Sequence, residues 1–334
     1  MQRIFTISIL TLFILFFSAC SQTIRMKALE PAEVDRVAYT KKITVTTFKN
    51  DSMGFSNKIE ANLAGFRIDN KKYFTMISRN DFDKIVEEQR LQNSGLVDVE
   101  TVTEVGHLIG AQAIISGNVA KPTSQDSRFY EDRVRCKDLK CKELVFYNVR
   151  CTKRVVGLSA EVRVTDVTRG DIIFADTLSK NSTFKHCVDD SKALPSKEMA
   201  GQKLASSMAY EFTYKLTPHY RYFDVTLLEK PDLDYSSKQE ELLKVALEYI
   251  KQERYDKAEN LLKRLVDSTG SQSYVPFYNL GVLSEANGKY AEAKEYYSYA
   301  DNLMLKPVEE INDAVKRIDR VIMKRKKTRE QINR

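Results

Sequence analysis

Hydrophobic residues recur along this chain with two different periods. Ile43–Phe48 alternates between apolar and polar positions, as a half-buried strand does. A longer alternation over Gly157–Val167 stops just before Gly170 and then resumes, which predicts a hairpin whose turn uses the positive φ that glycine allows. In Ser196–Leu216 the apolar residues follow helical spacing instead. Together these segments predict an α/β domain with a mixed sheet over residues 38–218.

From about residue 238 the pattern is helical throughout, and it repeats. Leu242, Ala246, Tyr249, Tyr255, Ala258, Leu262 and Leu265 return 35 positions later as Phe277, Gly281, Ser284, Tyr290, Ala293, Tyr297 and Ala300. Small residues at helix crossings with aromatic residues between them resemble the tetratricopeptide repeat. This resemblance predicts repeats plus a capping helix over 238–326. A strand and linker at 219–237 would precede them, and a basic tail at 327–334 would follow.

Such a repeat module is expected to bind another protein in a groove. The residues that we expect to line it are Tyr278, Asn279, Lys289 and Tyr296. Many aromatic residues in stacks of this kind pack between the repeats, so a position in the core is the alternative for the two tyrosines.

The first residues have the pattern of an export signal, with Arg3, an apolar run over Ile4–Phe17 and small residues before Cys20. The run has the length of a signal core rather than of a membrane span. A cysteine directly after Ser-Ala resembles the bacterial lipobox, in which it is diacylated and becomes the new N-terminus. We therefore expect residues 1–19 to be a lipoprotein signal. The alternative is an ordinary secretory signal in which the cysteine is incidental.

The residue after the lipidated cysteine predicts the location. Ser21 stands there rather than aspartate, and by the sorting habit of Gram-negative lipoproteins this implies the outer membrane. Residues 20–37 would then be an acylated tether, and the mature chain would face the periplasm. No second apolar stretch has the length of a membrane helix.

Four further cysteines would then lie in an oxidising compartment, where an even number favours two disulfides. They are Cys136, Cys141, Cys151 and Cys187. Sequence alone does not choose among the three possible pairings. A zinc site is the alternative, but no Cys-x-x-Cys pair occurs, and we expect no metal.

The motifs argue against catalysis, and the export signal argues against nucleic acid as a partner. The formal net charge is +7, and part of the excess lies in the run Lys324–Lys327, which could touch phospholipid headgroups or an acidic partner but is more typical of a solvated helix end. The chain has three histidines and no Gly-x-Ser-x-Gly, phosphate-binding glycine loop or His-Glu-x-x-His motif. The acidic pair Asp189-Asp190 is interpreted as solvated. We expect no cofactor and no enzyme activity.

Several phrases between residues 40 and 215 are similar to the family of the curli secretion channel. They are Ser78-Arg-Asn-Asp-Phe with Glu87-Glu-Gln-Arg-Leu91, Gly106 to Gly117 with its Gly-Ala and Ile-Ile-Ser-Gly elements, Glu161-Val-Arg-Val-Thr-Asp-Val-Thr-Arg-Gly-Asp171, and Leu178-Ser-Lys180. The resemblance implies a lipidated outer-membrane protein with a periplasmic α/β domain that self-associates, for curli-type assembly or transport. Related lipoproteins serve other envelope machines, so the resemblance indicates a scaffold more securely than a particular function.

Two inserts depart from that family. There, two hairpins cross the outer membrane, and their counterparts fall near residues 120–155 and 180–196. Both segments are rich in charged residues, whereas a membrane hairpin needs an apolar lipid face. We therefore expect polar loops that are tied by disulfides and bind a partner.

The sequence as a whole predicts a non-catalytic assembly or secretion scaffold of the cell envelope. Its lipid would hold it in the outer membrane, its α/β domain would form a homo-oligomer or join envelope or secretion-machine proteins, and its repeats would bind protein. Two alternatives are an oligomeric outer-membrane secretion channel and a periplasmic activator of a cell-wall synthase.

Overall fold

The computed structural model describes residues 21–88 and 99–333. The predicted signal, residues 1–19, and the predicted lipidation site Cys20 lie outside this range. The strands are β1 (Thr23–Glu30), β2 (Lys42–Val45), β3 (Arg67–Ile68), β4 (Lys71–Lys72), β5 (Thr75–Met76), β6 (Ala113–Val119), β7 (Thr123–Cys136), β8 (Leu144–Asp166), β9 (Asp171–Cys187) and β10 (His219–Thr226). The helices are α1 (Asp35–Tyr39), α2 (Phe55–Gly65), α3 (Arg79–Glu88), α4 (Val99–Ile109), α5 (Lys197–Leu216), α6 (Ser237–Lys251), α7 (Tyr255–Ser268), α8 (Tyr274–Ala286), α9 (Tyr290–Leu303) and α10 (Glu309–Asn333).

The described residues fall into two compact units. We call residues 29–219 together with 326–333 the sheet unit, and residues 21–28 together with 220–325 the helical unit. In the part of the chain that the structure describes, no helix combines the length and the apolar character needed to cross a membrane.

A six-stranded mixed sheet forms the centre of the sheet unit. Strand β2 pairs in parallel with β5 on one side and with β6 on the other, where Ile43 lies opposite Ala113 and Val45 opposite Ile115. Strand β6 pairs antiparallel with β8, which also pairs antiparallel with β7 and β9. The predicted mixed α/β class is confirmed.

Helix α5 covers this sheet with an apolar face. Leu204, Met208 and Phe212 recur at helical spacing and are buried. The side chain of Ser196 caps the helix because it accepts the Met199 N–H at 3.1 Å. The predicted span thus differs from the observed one only in that Ser196 is the cap.

Two glycines provide turns that other residues adopt rarely. Gly110 joins α4 to the segment before β6 with φ +72°, and Gly170 joins β8 to β9 with φ +67°. The turn at Gly170 lies where the sequence predicts it. The two turns bring β6, β8 and β9 into one sheet.

The helical unit is built from helix pairs, α6 with α7 and α8 with α9, followed by α10. Its largest fully buried side chains include Tyr278 and Tyr297. At Gly281 a Cβ atom would lie 2.6 Å from the Tyr297 ring, so only glycine permits this approach of α8 to α9. An all-helical C-terminal stretch therefore follows the sheet unit, as expected. Its interpretation as tetratricopeptide repeats stays a prediction.

The segment predicted as a tether contains a strand, β1, and the segment predicted as a strand and linker contains β10. Strands β1 and β10 pair with each other as a two-stranded sheet. Ile24 and Met26 of β1 and Val225 of β10 are buried in the same apolar core as the helices. Strand β1 forms because its apolar residues alternate with Arg25 and Lys27, a pattern that is only a few residues long.

The predicted basic tail also differs, because α10 continues to Asn333. Thr328 and Gln331 are buried. The Gln331 side chain accepts the Ala32 N–H at 3.0 Å and donates to Asp35 at 2.7 Å. The backbone carbonyl oxygen of Gln331 accepts from Lys41 Nζ at 2.7 Å. Gln331 thus fixes the last turn of the helix within the sheet unit.

Candidate functional site

The two predicted inserts form one long antiparallel arm. Strands β7 and β8 pair from Thr123 opposite Gly157 to Cys136 opposite Leu144. Strand β9 pairs with β8 from Asp171 opposite Asp166 to Cys187 opposite Cys151. We call residues 123–157 and 181–190 the arm. The prediction of loops is wrong for most of this segment, because strands extend through both inserts.

Side chains alternate between two faces of the arm, and one face carries a network of charges. Arg133 lies at its centre, with Asp189 Oδ1 at 2.8 Å from Nη1 and Asp190 Oδ1 at 3.0 Å from Nη2. Tyr147 donates a hydrogen bond to Asp189 at 3.0 Å, and Glu131 forms an ion pair with Lys185 at 2.5 Å. We call this side the network face. The acidic pair that we expected to be solvated therefore ties the segment after β9 to β7.

The network lowers the pKa of two carboxyl groups, which favours their charged forms, and raises the pKa of Tyr147, which favours its neutral form. The hydrogen bond from Lys185 holds the pKa of Glu131 below its usual value. The Cys187 backbone N–H, followed by Arg133, lowers the pKa of Asp190. The hydrogen bond to Asp189 raises the pKa of Tyr147. Each ion pair is therefore present at neutral pH.

Two disulfides join the four cysteines of the arm. One connects Cys136 with Cys141 across the loop at its tip, and the other connects Cys151 of β8 with Cys187 of β9. The second lies buried beneath the network face with Val149, against the partly buried Phe129. It thereby ties the end of β9 to β8.

The same arrangement bears on the predicted absence of metal. Glu131 and the sulfur atoms of Cys151 and Cys187 lie within 4.8 Å of one another, which is a ligand-like grouping. The two sulfurs are bonded to each other, and a disulfide does not supply the thiolates that bind zinc. This group is a structural crosslink.

The opposite side of the arm, which we call the open face, carries exposed apolar residues towards its tip, next to the polar residues Asp132, Asn148 and Arg150. Val134 and Phe146 lie directly across from each other on β7 and β8 and are 48% and 74% exposed. Tyr130 is 73% exposed and Leu144 is 56% exposed, both on the same side by alternation. Beyond them, Leu139 projects from the loop at the tip. The group Val134, Phe146 and Leu144 is contiguous on this side, and such exposed apolar groups are typical of an interaction surface.

These two faces are not separable in the sequence. Arg and Asp residues occur at alternate and at adjacent positions of the first insert, so both sides have the composition of a charged surface. Only the register, Val134 opposite Phe146 and Arg133 opposite Tyr147, shows which residues share a side.

The residues predicted to line the groove in the helical unit divide into two pairs. Tyr278 and Asn279 are buried, so they are not open to a partner. Lys289 is exposed and Tyr296 is partly exposed, on α9 or just before it. For the second pair, the role in a groove stays a prediction.

The buried pair binds a peptide backbone that belongs to the chain itself. Asn279 Oδ1 accepts the Leu228 N–H at 3.0 Å, and its Nδ2 donates to the Leu228 carbonyl at 2.8 Å. The Tyr278 hydroxyl donates to the Thr226 carbonyl at 2.7 Å. The segment that follows β10 therefore occupies the surface predicted to recruit a foreign peptide.

A comparison with protein families identifies the domain that carries the arm. Residues 35–188 match the family described as "Curli production assembly/transport component CsgG". This part of the sheet unit is similar to the CsgG family. The match includes the open face, both disulfides and the network face up to residue 188, but not Asp189 and Asp190. It supports a protein related to assembly or transport in the cell envelope, and the family is consistent with a protein that is not an enzyme.

Solved structures similar to this chain have low identity. The hypothetical protein CT253 from Chlamydia trachomatis is 13% identical, with a TM-score of 0.24, over 42% of this chain and 72% of that chain. The LpoB C-terminal domain from Salmonella enterica is 12% identical, with a TM-score of 0.25, over 45% and 95%. The PelC dodecamer from Paraburkholderia phytofirmans is 14% identical, with a TM-score of 0.23, over 59% and 98%. Similarities this weak support no functional conclusion. A comparison with curated proteins found no match.

Proposed function

We propose that this chain is an outer-membrane lipoprotein that acts as a non-catalytic assembly scaffold. Cys20 carries the lipid, the sheet unit faces the periplasm, and copies of the chain associate through the arm. The match of residues 35–188 to an assembly and transport family supports this proposal, as do the small residues that precede Cys20 in the export signal.

The observation that carries the proposal is the difference between the two faces of the arm. On the network face, ion pairs join β7 to the segment after β9 and a disulfide joins β8 to β9, so the strands hold a fixed shape. The open face places Phe146 and Val134 in solvent side by side. Because burial of exposed apolar area drives protein association, a rigid strand pair with an apolar side suits contact with another protein surface.

The helical unit would recruit a further envelope protein. Lys289 and Tyr296 remain accessible for such a contact. The segment 226–228 already fills the buried part of the predicted groove, so an external partner would bind the remaining exposed helix surfaces rather than Asn279.

The mass of the lipidated protein in detergent tests the scaffold. Light scattering during size exclusion should show an oligomer, and Phe146→Glu should shift it to monomer by weakening association about thirty-fold or more, because the substitution places a charge in an apolar contact. Leu305→Glu is the matched control, since Leu305 is fully exposed on the helical unit. A monomeric wild-type protein, or an oligomer that persists in Phe146→Glu, would show that the arm does not mediate assembly.

A further inference from the structure

The N-terminal strand begins close to the predicted lipid. Only Ser21 and Gln22 separate Cys20 from β1, a reach of roughly 10 Å in extended chain. Gln22 is itself fixed, because its side chain donates to the Leu247 carbonyl at 2.9 Å and its N–H donates to Glu229. A lipid on Cys20 would therefore hold the helical unit directly at the membrane surface, without a long tether.

One side of the sheet formed by β1 and β10 is basic and aromatic. Arg25 lies over the Tyr222 ring at 5.6 Å, and Lys27 Nζ lies over the Tyr220 ring at 5.3 Å. Tyr222 is 58% exposed, and both basic side chains are exposed. We call these four residues the anchor face. Asp224, two positions after Tyr222 on β10, adds one acidic group to the same side.

The other side of β1 explains why this face has a fixed orientation. Ile24, Met26 and Ala28 are buried and alternate with the exposed residues. Ile24 and Met26 belong to the core of the helical unit. A rotation of the strand would remove these side chains from the core, so Arg25 and Lys27 stay on the outside.

We propose that the anchor face binds anionic phospholipid headgroups of the membrane in which the Cys20 lipid is inserted. Arginine and lysine pair with phosphate, and tyrosine has an apolar ring with a polar end that suits the interface between lipid and water. A basic patch next to a lipid anchor is a common second contribution to membrane binding. The proposal rests on lipidation at Cys20, which places the face within reach of headgroups.

The expected contribution is modest and measurable. Each basic residue near an anionic surface strengthens binding about five-fold, so Arg25 and Lys27 together give up to about thirty-fold, less the opposing effect of Asp224. The interaction should weaken at high salt, because headgroup charge is screened within about a nanometre at physiological ionic strength.

The chain contains no tryptophan, so a single introduced indole reports on its own position. The full mature chain would carry Tyr222→Trp and be coupled through the Cys20 thiol to a maleimide lipid in vesicles, which makes the test independent of lipidation in cells. Vesicles of phosphatidylcholine alone are compared with vesicles containing 30% phosphatidylglycerol. Tyr299→Trp is the control, since Tyr299 is similarly exposed in the same unit at 56%.

We expect the indole at position 222 to shift its emission to the blue and to be quenched by brominated lipid in the anionic vesicles, and the indole at 299 to remain in water. Arg25→Gln with Lys27→Gln, or 1 M salt, should abolish the difference between the two vesicle types. Equal emission from position 222 in both vesicle types would overturn the proposal. Lipidation itself is tested separately by the mass of the protein extracted from cells, so a failure of the lipid anchor and a failure of the anchor face give different results.

Discussion

Arg317 neutralises a carboxylate buried in the helical unit, and its removal should be costly. Glu285 is only 2% exposed in its side chain. It accepts from Arg317 Nε at 3.0 Å and Nη2 at 2.9 Å, and from the Tyr297 hydroxyl at 2.7 Å. The pair joins α8 to α10.

Arg317→Met should lower the free energy of unfolding by about 3 kcal/mol. Loss of one partner from a buried pair costs about 3–5 kcal/mol, and the lower value applies because Tyr297 still donates to the carboxylate. Arg317→Met with Glu285→Gln should cost only about 1 kcal/mol, since a neutral amide keeps the tyrosine bond and removes the buried charge.

Urea unfolding of the soluble chain from residue 21, followed by circular dichroism at 222 nm, measures these values. Arg320→Met is the matched control, because Arg320 is exposed on the same helix, and it should change stability by less than about 0.5 kcal/mol. The reasoning is refuted if Arg317→Met costs no more than this control. It is also refuted if the double variant is less stable than Arg317→Met.

Three further predictions concern other parts of the chain. Asn279→Ala removes both bonds to the Leu228 backbone and should lower stability by about 1–2 kcal/mol and speed amide exchange at Leu228; unchanged protection by hydrogen exchange would contradict this. Burial lowers the pKa of Lys41 to about 8, so between pH 8 and 10 the unfolded chain holds a proton that the folded chain has released. The free energy of unfolding of the wild-type chain, minus that of Lys41→Met, should therefore rise with pH in that window by about 1 kcal/mol after solvent screening. A decrease of this difference, measured by urea titrations, would count against the prediction. Gly117→Ala should cost at least about 2 kcal/mol because its Cβ would lie 2.3 Å from a carbonyl oxygen of β8, whereas Gly65→Ala, with open space around it, should be nearly neutral in thermal melts.

The sheet unit was largely predictable because its signals are local. Alternation over Gly157–Val167 and a glycine at 170 specify two strands and the turn between them without reference to the rest of the chain. The match of residues 35–188 to the curli assembly family confirms the resemblance that short phrases indicated.

What the sequence did not predict depends on contacts between distant residues. Asn279 resembles a groove residue by its position in the repeat, and only the fold shows that Leu228, 51 positions away, already occupies it. Gln331 lies in a basic run that is typical of a solvated end, yet its partner Ala32 is 299 positions earlier. No short-range pattern reports such pairs.

The faces of the arm were unpredictable for another reason. A shift of one residue between β7 and β8 would exchange the two sides, and turn chemistry does not fix the register across the seven-residue loop 137–143. The ion pair between Arg133 and Asp190 and the disulfide between Cys151 and Cys187 are consistent with only one register of β7, β8 and β9.

A photocrosslinking amino acid in place of Phe146 in living cells tests the central claim, that the arm assembles this lipoprotein in the envelope. Irradiation should yield a crosslink between copies of the chain in the outer-membrane fraction, and the same substitution at Leu305 should not. Crosslinks from position 146 to lipid alone, or no crosslink at all, would contradict the account.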